Sequence, residues 1–296
     1  MGQSSVINAR AALAERGLYA KKKYGQNFLI DEHVLEKIVN AAEPDGRTLA
    51  IEIGPGLGAL TLALARRAAR VAAVEIDGEL ARILEESLPG LGCGNVDIIR
   101  ADALKLDFDE LIKSYHSRGI GAERVVAAAN LPYYAATPIT MELIQKRGLI
   151  ASVTVMVQKE VARRFAAAPG SKDYGALSVI AQYFARPYLA ANVPRNCFFP
   201  RPAVDSAIVK FTPHERPPAE IDDERAFFDL IKAAFATRRK TLANCLAEAR
   251  IGGLGDISRR EAEERLVGLG HDAKARGETL SLREFASLYN DLKARR

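Results

Sequence analysis

Cysteine is scarce in this chain: Cys93, Cys197 and Cys245 are all there are in 296 residues. They lie far apart and form no C-x-x-C pair, which argues against both a disulfide framework and a zinc site. The four histidines are equally scattered, so no metal cluster is expected. Long hydrophobic runs are also lacking. The stretch from Leu49 is broken by Glu52 and several glycines and is too interrupted to span a bilayer. There is no signal-peptide hydrophobic region, and the opening MGQSSV has Val6 where a myristoylation signal carries Ser or Thr. Nor does one sign of charge dominate: the net charge is +5 and the pI about 9.1, a mild excess that many soluble enzymes share. These absences lead to the expectation of a soluble, reduced, cytoplasmic protein with no metal and no membrane contact, a monomer by default.

What is present is a regular alternation. Short apolar runs (LAIEI, VAAVEI, VDIIR, VVAAAN, SVTVMVQ) alternate with longer amphipathic segments such as LTLALARRAA, ELARILEESL and PITMELIQKR. Strand–helix alternation predicts a parallel sheet covered on both faces. Two later runs, AQYFARPYLAANV and SAIVKFTP, read as strands with no helix between them and suit an antiparallel pair at one sheet edge. Composition breaks at TPHERPPAEIDDE, which carries three prolines and many charges. The expected division is a catalytic domain over residues 1–212 and a smaller helical domain over 213–296. In the latter, Asp222 is expected to cap a helix, Ser258 with Glu261 and Ser281 with Glu284 have capping-box spacing, and Gly268 and Gly270 should stop the helix between them.

The stretch IEIGPGLGAL follows the first strand and opens a helix. Gly54, Gly56 and Gly58 allow a sharp turn and close approach of a ligand. From Gly54 it also fits G-x-G-x-x-A, a nicotinamide-dinucleotide pattern. Glu75 ends the second strand, 21 residues further on, where a carboxylate can accept both ribose hydroxyls. S-adenosylmethionine and NAD share that ribose. Glu52 before the loop, suited to a cationic methionyl tail, and Asp102 at the end of the third strand, suited to an adenine amine, favour S-adenosylmethionine. The plainer reading of Asp102 is the N-cap of a helix through ALKLDF.

NLPYY ends the fourth strand. In open parallel sheets ligands bind beyond the carboxyl ends of the strands, so Gly54, Glu75, Asp102 and Asn130 should line one crevice. An adenine amine is a poor nucleophile because its lone pair is delocalised into the ring. The Asn130 carboxamide oxygen and the Leu131 carbonyl can accept its two N–H bonds, freeing the lone pair for an electrophilic methyl. Pro132 stiffens the loop, and Tyr133 can stack on the base. Phe198, in CFFPRPAVDS, can close on the base from the other side while Phe199 packs in the core. The competing readings are a β-turn with core tyrosines, and two core phenylalanines. Basic residues cluster at Lys22 and Lys23, at Arg163 and Arg164, and at Arg238, Arg239 and Lys240. Such clusters are ordinarily solvated faces; the functional reading is phosphate contact.

Taken together, YGQNFLID, IEIGPGLGALT, VEID, ADAL, NLPYY, QKEVARRFAAAPGSKDYGALSV, FFPRPAVDSAIV and FATRRKTLANCL resemble the small-subunit ribosomal RNA adenine N6,N6-dimethyltransferases of the KsgA/RsmA family. The resemblance covers nearly the whole chain. It implies a Rossmann-like class I methyltransferase fold with a small all-helical C-terminal domain. It also implies S-adenosylmethionine as methyl donor, and two adjacent adenosines near the 3′ end of the small-subunit rRNA of an assembling 30S-type particle as substrate. By the same resemblance Asn27 and Leu29 contact the methionine end, Gly54 lies under it, Glu75 meets the ribose, Asp102 the adenine and Asn130 the methyl, and Tyr133 and Phe198 hold the target base. The sequence departs from the family at Tyr134, Ala135 and Ala136, where a hydrophobic residue and Ser are common, and at Ala203, where Lys is common. The alternatives are a non-catalytic RNA-binding or assembly factor on the same fold, a large-subunit rRNA adenine methyltransferase, and an NAD oxidoreductase.

Overall fold

A computed structural model of the chain describes residue 21 and residues 24–119 and 122–294. The chain divides into two compact units, residues 1–162 with 187–213, and residues 163–186 with 214–296. A single break at 213 was expected; the segment 163–186 instead packs with the later helices.

The first unit is built on a seven-stranded sheet in the order β4-β3-β2-β5-β6-β9-β7. Its strands are β2 (Thr48–Ile53), β3 (Arg70–Glu75), β4 (Val96–Arg100), β5 (Arg124–Asn130), β6 (Ser152–Gln158), β7 (Ala185–Val193) and β9 (Ser206–Pro213). The first five pair in parallel, and β9 runs antiparallel to β6. A two-residue strand, β1 (Phe28–Leu29), pairs antiparallel with β8 (Phe198–Phe199), bringing Leu29 opposite Phe198. Strands β2, β5 and β6 are buried along almost their whole length, as parallel strands covered by helices on both faces must be.

Helices α1 (Glu32–Ala42), α2 (Ala59–Ala65), α3 (Gly78–Ser87), α4 (Phe108–Ser117) and α5 (Ala136–Gln145) supply that cover. In α1, Val34, Leu35, Ile38, Val39 and Ala42 form the buried stripe, the three-and-four spacing of an amphipathic helix. Asp31, Asp77 and Asp107 each accept main-chain N–H bonds at the starts of α1, α3 and α4. The cap of α4 is therefore Asp107, not Asp102. Asp102 closes one turn, its carboxylate accepting from the Leu104 amide at 3.0 Å.

The chain leaves β2 for β3 on one side and returns to β5 on the other. That reversal places a crevice at the carboxyl ends of β2 and β5, where open α/β sheets bind ligands. The run AQYF, expected to begin a strand, instead ends helix α7 (Ala176–Phe184), and β7 starts at Ala185. Val179, Ala181, Tyr183 and Phe184 are buried on that helix and Ala185 opens β7 buried, so one run of apolar residues serves the end of the helix and the start of the strand. Between Ala162 and Arg163 the units divide within helix α6 (Lys159–Phe165).

The second unit gathers α7 with α8 (Glu224–Ala234), α9 (Leu242–Ala247), α10 (Arg259–Gly268) and α11 (Leu282–Lys293). Phe227, Leu230, Leu246, Leu266, Phe285 and Tyr289 are fully buried in it. The cap of α8 is Asp223, one residue beyond the expected Asp222. Asp222 instead accepts from Tyr289 and pairs with Lys293 at 2.6 Å. Ser258 caps α10, Ser281 and Glu284 form a full capping box on α11, and α10 ends at Gly268. Among the described residues no helix is long and apolar enough to cross a membrane.

Candidate active site

The cavity at the switch point is lined from four directions. The β2–α2 loop contributes Gly54, Pro55, Gly56 and Leu57. Glu75 and Ile76 come from the end of β3, and Asn130 to Tyr134 from the end of β5. The arm Tyr24–Leu29 and Phe198 close the remaining side. Of the residues selected from sequence, Asn27, Leu29, Gly54, Gly56, Glu75, Asn130, Leu131, Pro132, Tyr133 and Phe198 all line this one cavity. Asp102 does not. It follows β4, one residue beyond Ala101, whose amide donates to the Glu75 carbonyl.

The glycine loop is shaped for close approach. Gly54 and Gly56 have φ of +70° and +59°, left-handed values that L side chains rarely adopt. A Cβ on Gly56 would stand 3.1 Å from the Phe28 ring, so the arm packs directly on bare backbone. Glu75 is buried, and its carboxylate accepts from the Gly56 amide at 3.1 Å and the Asp77 amide at 2.8 Å. Burial pushes its pKa up, against the pull of those two donors.

Glu52 lies on the same wall, 1% exposed, and its Oε2 is buried without a hydrogen-bond partner. Burial, with the Glu75 charge nearby, pushes its pKa up to about 8. Burial thus keeps the group a neutral acid in the free protein, because an ionised carboxyl there would be costly, and an incoming cation would favour its ionised form.

On the opposite wall the Asn130 side chain donates through Nδ2 to the Asn27 carbonyl at 3.1 Å. Because that partner can only accept, the amide orientation is fixed, and Oδ1 is left as the open acceptor. Leu131 is buried and its amide donates to the Met156 carbonyl. Tyr133 is half-buried, its hydroxyl 3.2 Å from Ser206 Oγ, and burial raises its pKa. Phe198 is 4% exposed and belongs to the core cluster containing Leu29 and Leu35; Phe199 packs on Phe28, Leu57 and Leu80.

One feature of the site was missed from sequence. Lys21 Nζ pairs with Asp77 and Glu79, each at 2.9 Å, and Gln26 Nε2 donates to the other Asp77 oxygen at 3.0 Å. The Lys21 amide in turn donates to Gln26 Oε1 at 2.7 Å. The arm is thereby tied to the strand that carries Glu75. The signal was an Asp between strand and helix in VEIDGEL, read only for its glutamate.

The basic residues are less concentrated. Lys22 and Lys23 lie outside the described residues. Arg163, Arg164, Arg238, Arg239 and Lys240 are exposed. Of these, Arg238 bonds Glu278 and the Lys172 carbonyl, and Lys240 bonds both oxygens of Glu248. Among the described residues no group of three His, Cys, Asp or Glu could hold a metal.

A doubly wound sheet with an antiparallel edge, a glycine loop backed by buried acids, and an Asn-Leu-Pro-Tyr turn at the switch point define a Rossmann-like methyltransferase. Residues 17–262 match the family described as ribosomal RNA adenine dimethylase. The chain is 47% identical over 283 residues to ribosomal RNA small subunit methyltransferase A of Moorella thermoacetica, covering 95% of this chain and 96% of that one. It is 48% identical over 268 residues to the protein of the same name from Lachnoclostridium phytofermentans, covering 90% of each. Among solved structures, a dimethyladenosine transferase from Plasmodium falciparum superposes with a TM-score of 0.74 at 25% identity, over 90% of this chain and 98% of that one. The 23S rRNA methyltransferase ErmE gives 0.66 at 26% identity, over 90% and 99%.

The chain belongs to the ribosomal RNA adenine dimethylase family. It is an rRNA adenine dimethyltransferase, and S-adenosylmethionine is its methyl donor. The residues present fit that donor: a buried carboxyl oxygen on Glu52 without a hydrogen-bond partner suits an ammonium group, and bare backbone at Gly54 leaves room beside it. The nicotinamide reading of the glycine loop gives way to this assignment.

Proposed function

We propose that the protein dimethylates two adjacent adenosines at N6 near the 3′ end of small-subunit rRNA, acting as a monomer on an assembling small-subunit particle in the cytoplasm. The small-subunit assignment rests on the names of the relatives that match over nearly the whole chain. The observation that carries the chemistry is the Asn130–Asn27 bond, which leaves the Asn130 oxygen as a fixed acceptor at the switch point.

The bound donor supplies a methyl group activated by a sulfonium. The chain would hold the methionine end with Glu52, Asn27 and Leu29, the ribose with Glu75, and the adenine with Asp102, which lies outside the cavity lining and would act as an acceptor beyond it. In the first transfer Asn130 Oδ1 and the Leu131 carbonyl accept the two N–H bonds of the target amine and aim its lone pair; in the second a single N–H remains to be held, and after each transfer the alkylated amine gives up one proton to solvent. Pro132 fixes that carbonyl, and Tyr133 and Phe198 clamp the base. The gain comes from orientation and from dipoles set in place before reaction; no strong general base is required. Residues 1–162 with 187–213 carry this chemistry, and the helical unit of residues 163–186 and 214–296 positions rRNA through phosphate contacts.

The test is incorporation of tritiated methyl into undermethylated small subunits and, in parallel, into large-subunit rRNA, followed by mapping of the labelled nucleotides. Two adjacent N6,N6-dimethyladenosines near the 3′ end are expected. Label in large-subunit rRNA would replace this reading with the large-subunit one, and donor binding without transfer to either RNA would leave an assembly factor.

A further inference from the structure

Tyr134 stands apart from the other aromatics of the site. It lines the cavity, yet it is 59% exposed, whereas Phe198 is 4% exposed and Tyr133 is held by Ser206. Its ring lies over Gly25: a Cβ at that position would stand 3.5 Å from Tyr134 Cδ1 and 3.5 Å from Pro132 Cβ. Gly25 has φ of +59°, so the arm turns sharply beneath the ring and presents bare backbone to it. The result is an aromatic surface backed by main chain and open to solvent, at the lip of a cavity whose interior already has its own aromatic walls. Adjacent residues Tyr133 and Tyr134 thus divide between the anchored interior and the open rim.

Single-stranded nucleic acid is held on such surfaces by stacking, because every base has a π-face. We propose that Tyr134 is the stacking platform for the nucleotide next to the target adenosine. It holds the neighbouring base at the rim while the target base occupies the cavity, and so positions the strand for each transfer. This inference rests on the rRNA reading above and goes beyond it by naming a rim contact to a second base.

The experiment uses small subunits reconstituted with rRNA whose 3′ segment is either unmodified or carries one abasic nucleotide, placed 5′ or 3′ of the target adenosine. Wild type, Tyr134→Phe and Tyr134→Ala are compared by KM for the particle. On unmodified particles Tyr134→Ala should raise KM about fivefold to tenfold, the lower end of measured stacking contributions. Tyr134→Phe, which keeps the ring, should stay within about twofold. On particles abasic at the neighbour that stacks, the alanine variant and wild type should become equal. An alanine defect of the same size on both abasic particles, or no defect on any, would overturn the proposal. Failure of wild type on unmodified particles would instead sink the rRNA reading on which it rests.

Discussion

Asn27 and Asn130, 103 residues apart in sequence, meet through one hydrogen bond: Asn130 Nδ2 donates to the Asn27 carbonyl at 3.1 Å. The bond joins the arm to the end of β5 and settles which way the carboxamide faces. Asn130→Ala should therefore lose methyl transfer while keeping the donor. A drop in kcat of about a hundredfold to a thousandfold is expected, the scale seen when a preorganised polar group at a reacting centre is removed. Donor affinity by isothermal titration should move only a few fold. Near-normal turnover in this variant would refute the mechanism.

Glu52 should make donor binding pH-dependent. Its carboxyl is held up at about 8 from an ordinary 4.5, so the free protein carries it largely neutral at pH 7. If the ionised form receives the donor's ammonium, affinity should climb with pH by up to about tenfold per unit and level off near pH 8. Stability of the free protein should run the other way. The native state holds a proton that the unfolded chain has released, so stability should decline as pH rises from about 4.5 to 8. Glu52→Gln should flatten both profiles. A wild-type affinity profile with no slope between pH 6 and 8 would remove Glu52 from the donor site.

The tie between Lys21, Gln26 and Asp77 should respond to salt rather than to pH. Burial alone would push the Asp77 carboxyl up, but bonds from Lys21, Gln26 and the Glu79 amide outweigh it and hold the pKa below its ordinary value. Lys21 is raised above the lysine range, chiefly by Asp77. The pair thus stays charged throughout pH 6–9, and its contribution fades only on acidification through the depressed Asp77 value. Added salt screens a partly exposed partner such as Lys21. Lys21→Ala should speed donor release measured by stopped flow and make the rate salt-insensitive. Asp77→Ala should do the same and also lose a helix cap, at a cost of about 1 kcal/mol.

Much of the site was legible because strands end where their motifs end. The registers align Ile53 with Val74 and Asn130 with Met156, so residues following successive strands fall into one crevice. The cap reading of Asp102 failed because an Asp after a strand fits both a turn and a cap, and the real cap, Asp107, lies five residues on. AQYF was misread because a helix passes into β7 without a glycine or proline to mark the change. The Lys21–Asp77 tie spans 56 residues, and nothing in local spacing signals a pairing at that range. The regrouping of residues 163–186 has the same origin. Tyr174, in that segment, donates to the Leu280 carbonyl 106 residues away, and composition carries no trace of such a contact.

Gly58, at the end of the glycine loop, offers a test of stability. It has φ of +85°, and a Cβ there would meet Leu84 Cδ2 at 2.6 Å, where Leu84 is 1% exposed. Gly58→Ala should cost about 1–2 kcal/mol for the left-handed backbone and about 1–3 kcal/mol for crowding a packed side chain. A thermal melt should show a fall in Tm of several degrees. An unchanged melt would mean that α2 and α3 separate freely enough to admit a methyl.

The exposed cations should sort by whether they are already engaged. Lys240 holds Glu248 and Arg238 holds Glu278 and a main-chain carbonyl, whereas Arg163, Arg164 and Arg239 project from exposed positions. A phosphate competes with an existing carboxylate partner at the first pair, whereas among the described residues no carboxylate stands against the other three. Replacing Arg163, Arg164 or Arg239 by Ala should therefore weaken rRNA binding at low salt and reduce the slope of log K against log salt by about 1 each. Replacing Lys240 or Arg238 should change the slope by clearly less. The measurement is RNA affinity by filter binding from 50 to 200 mM salt, the range in which phosphate contacts show most clearly. Equal slopes for all five variants would return these residues to ordinary solvated surface and leave the helical unit without a phosphate-binding role.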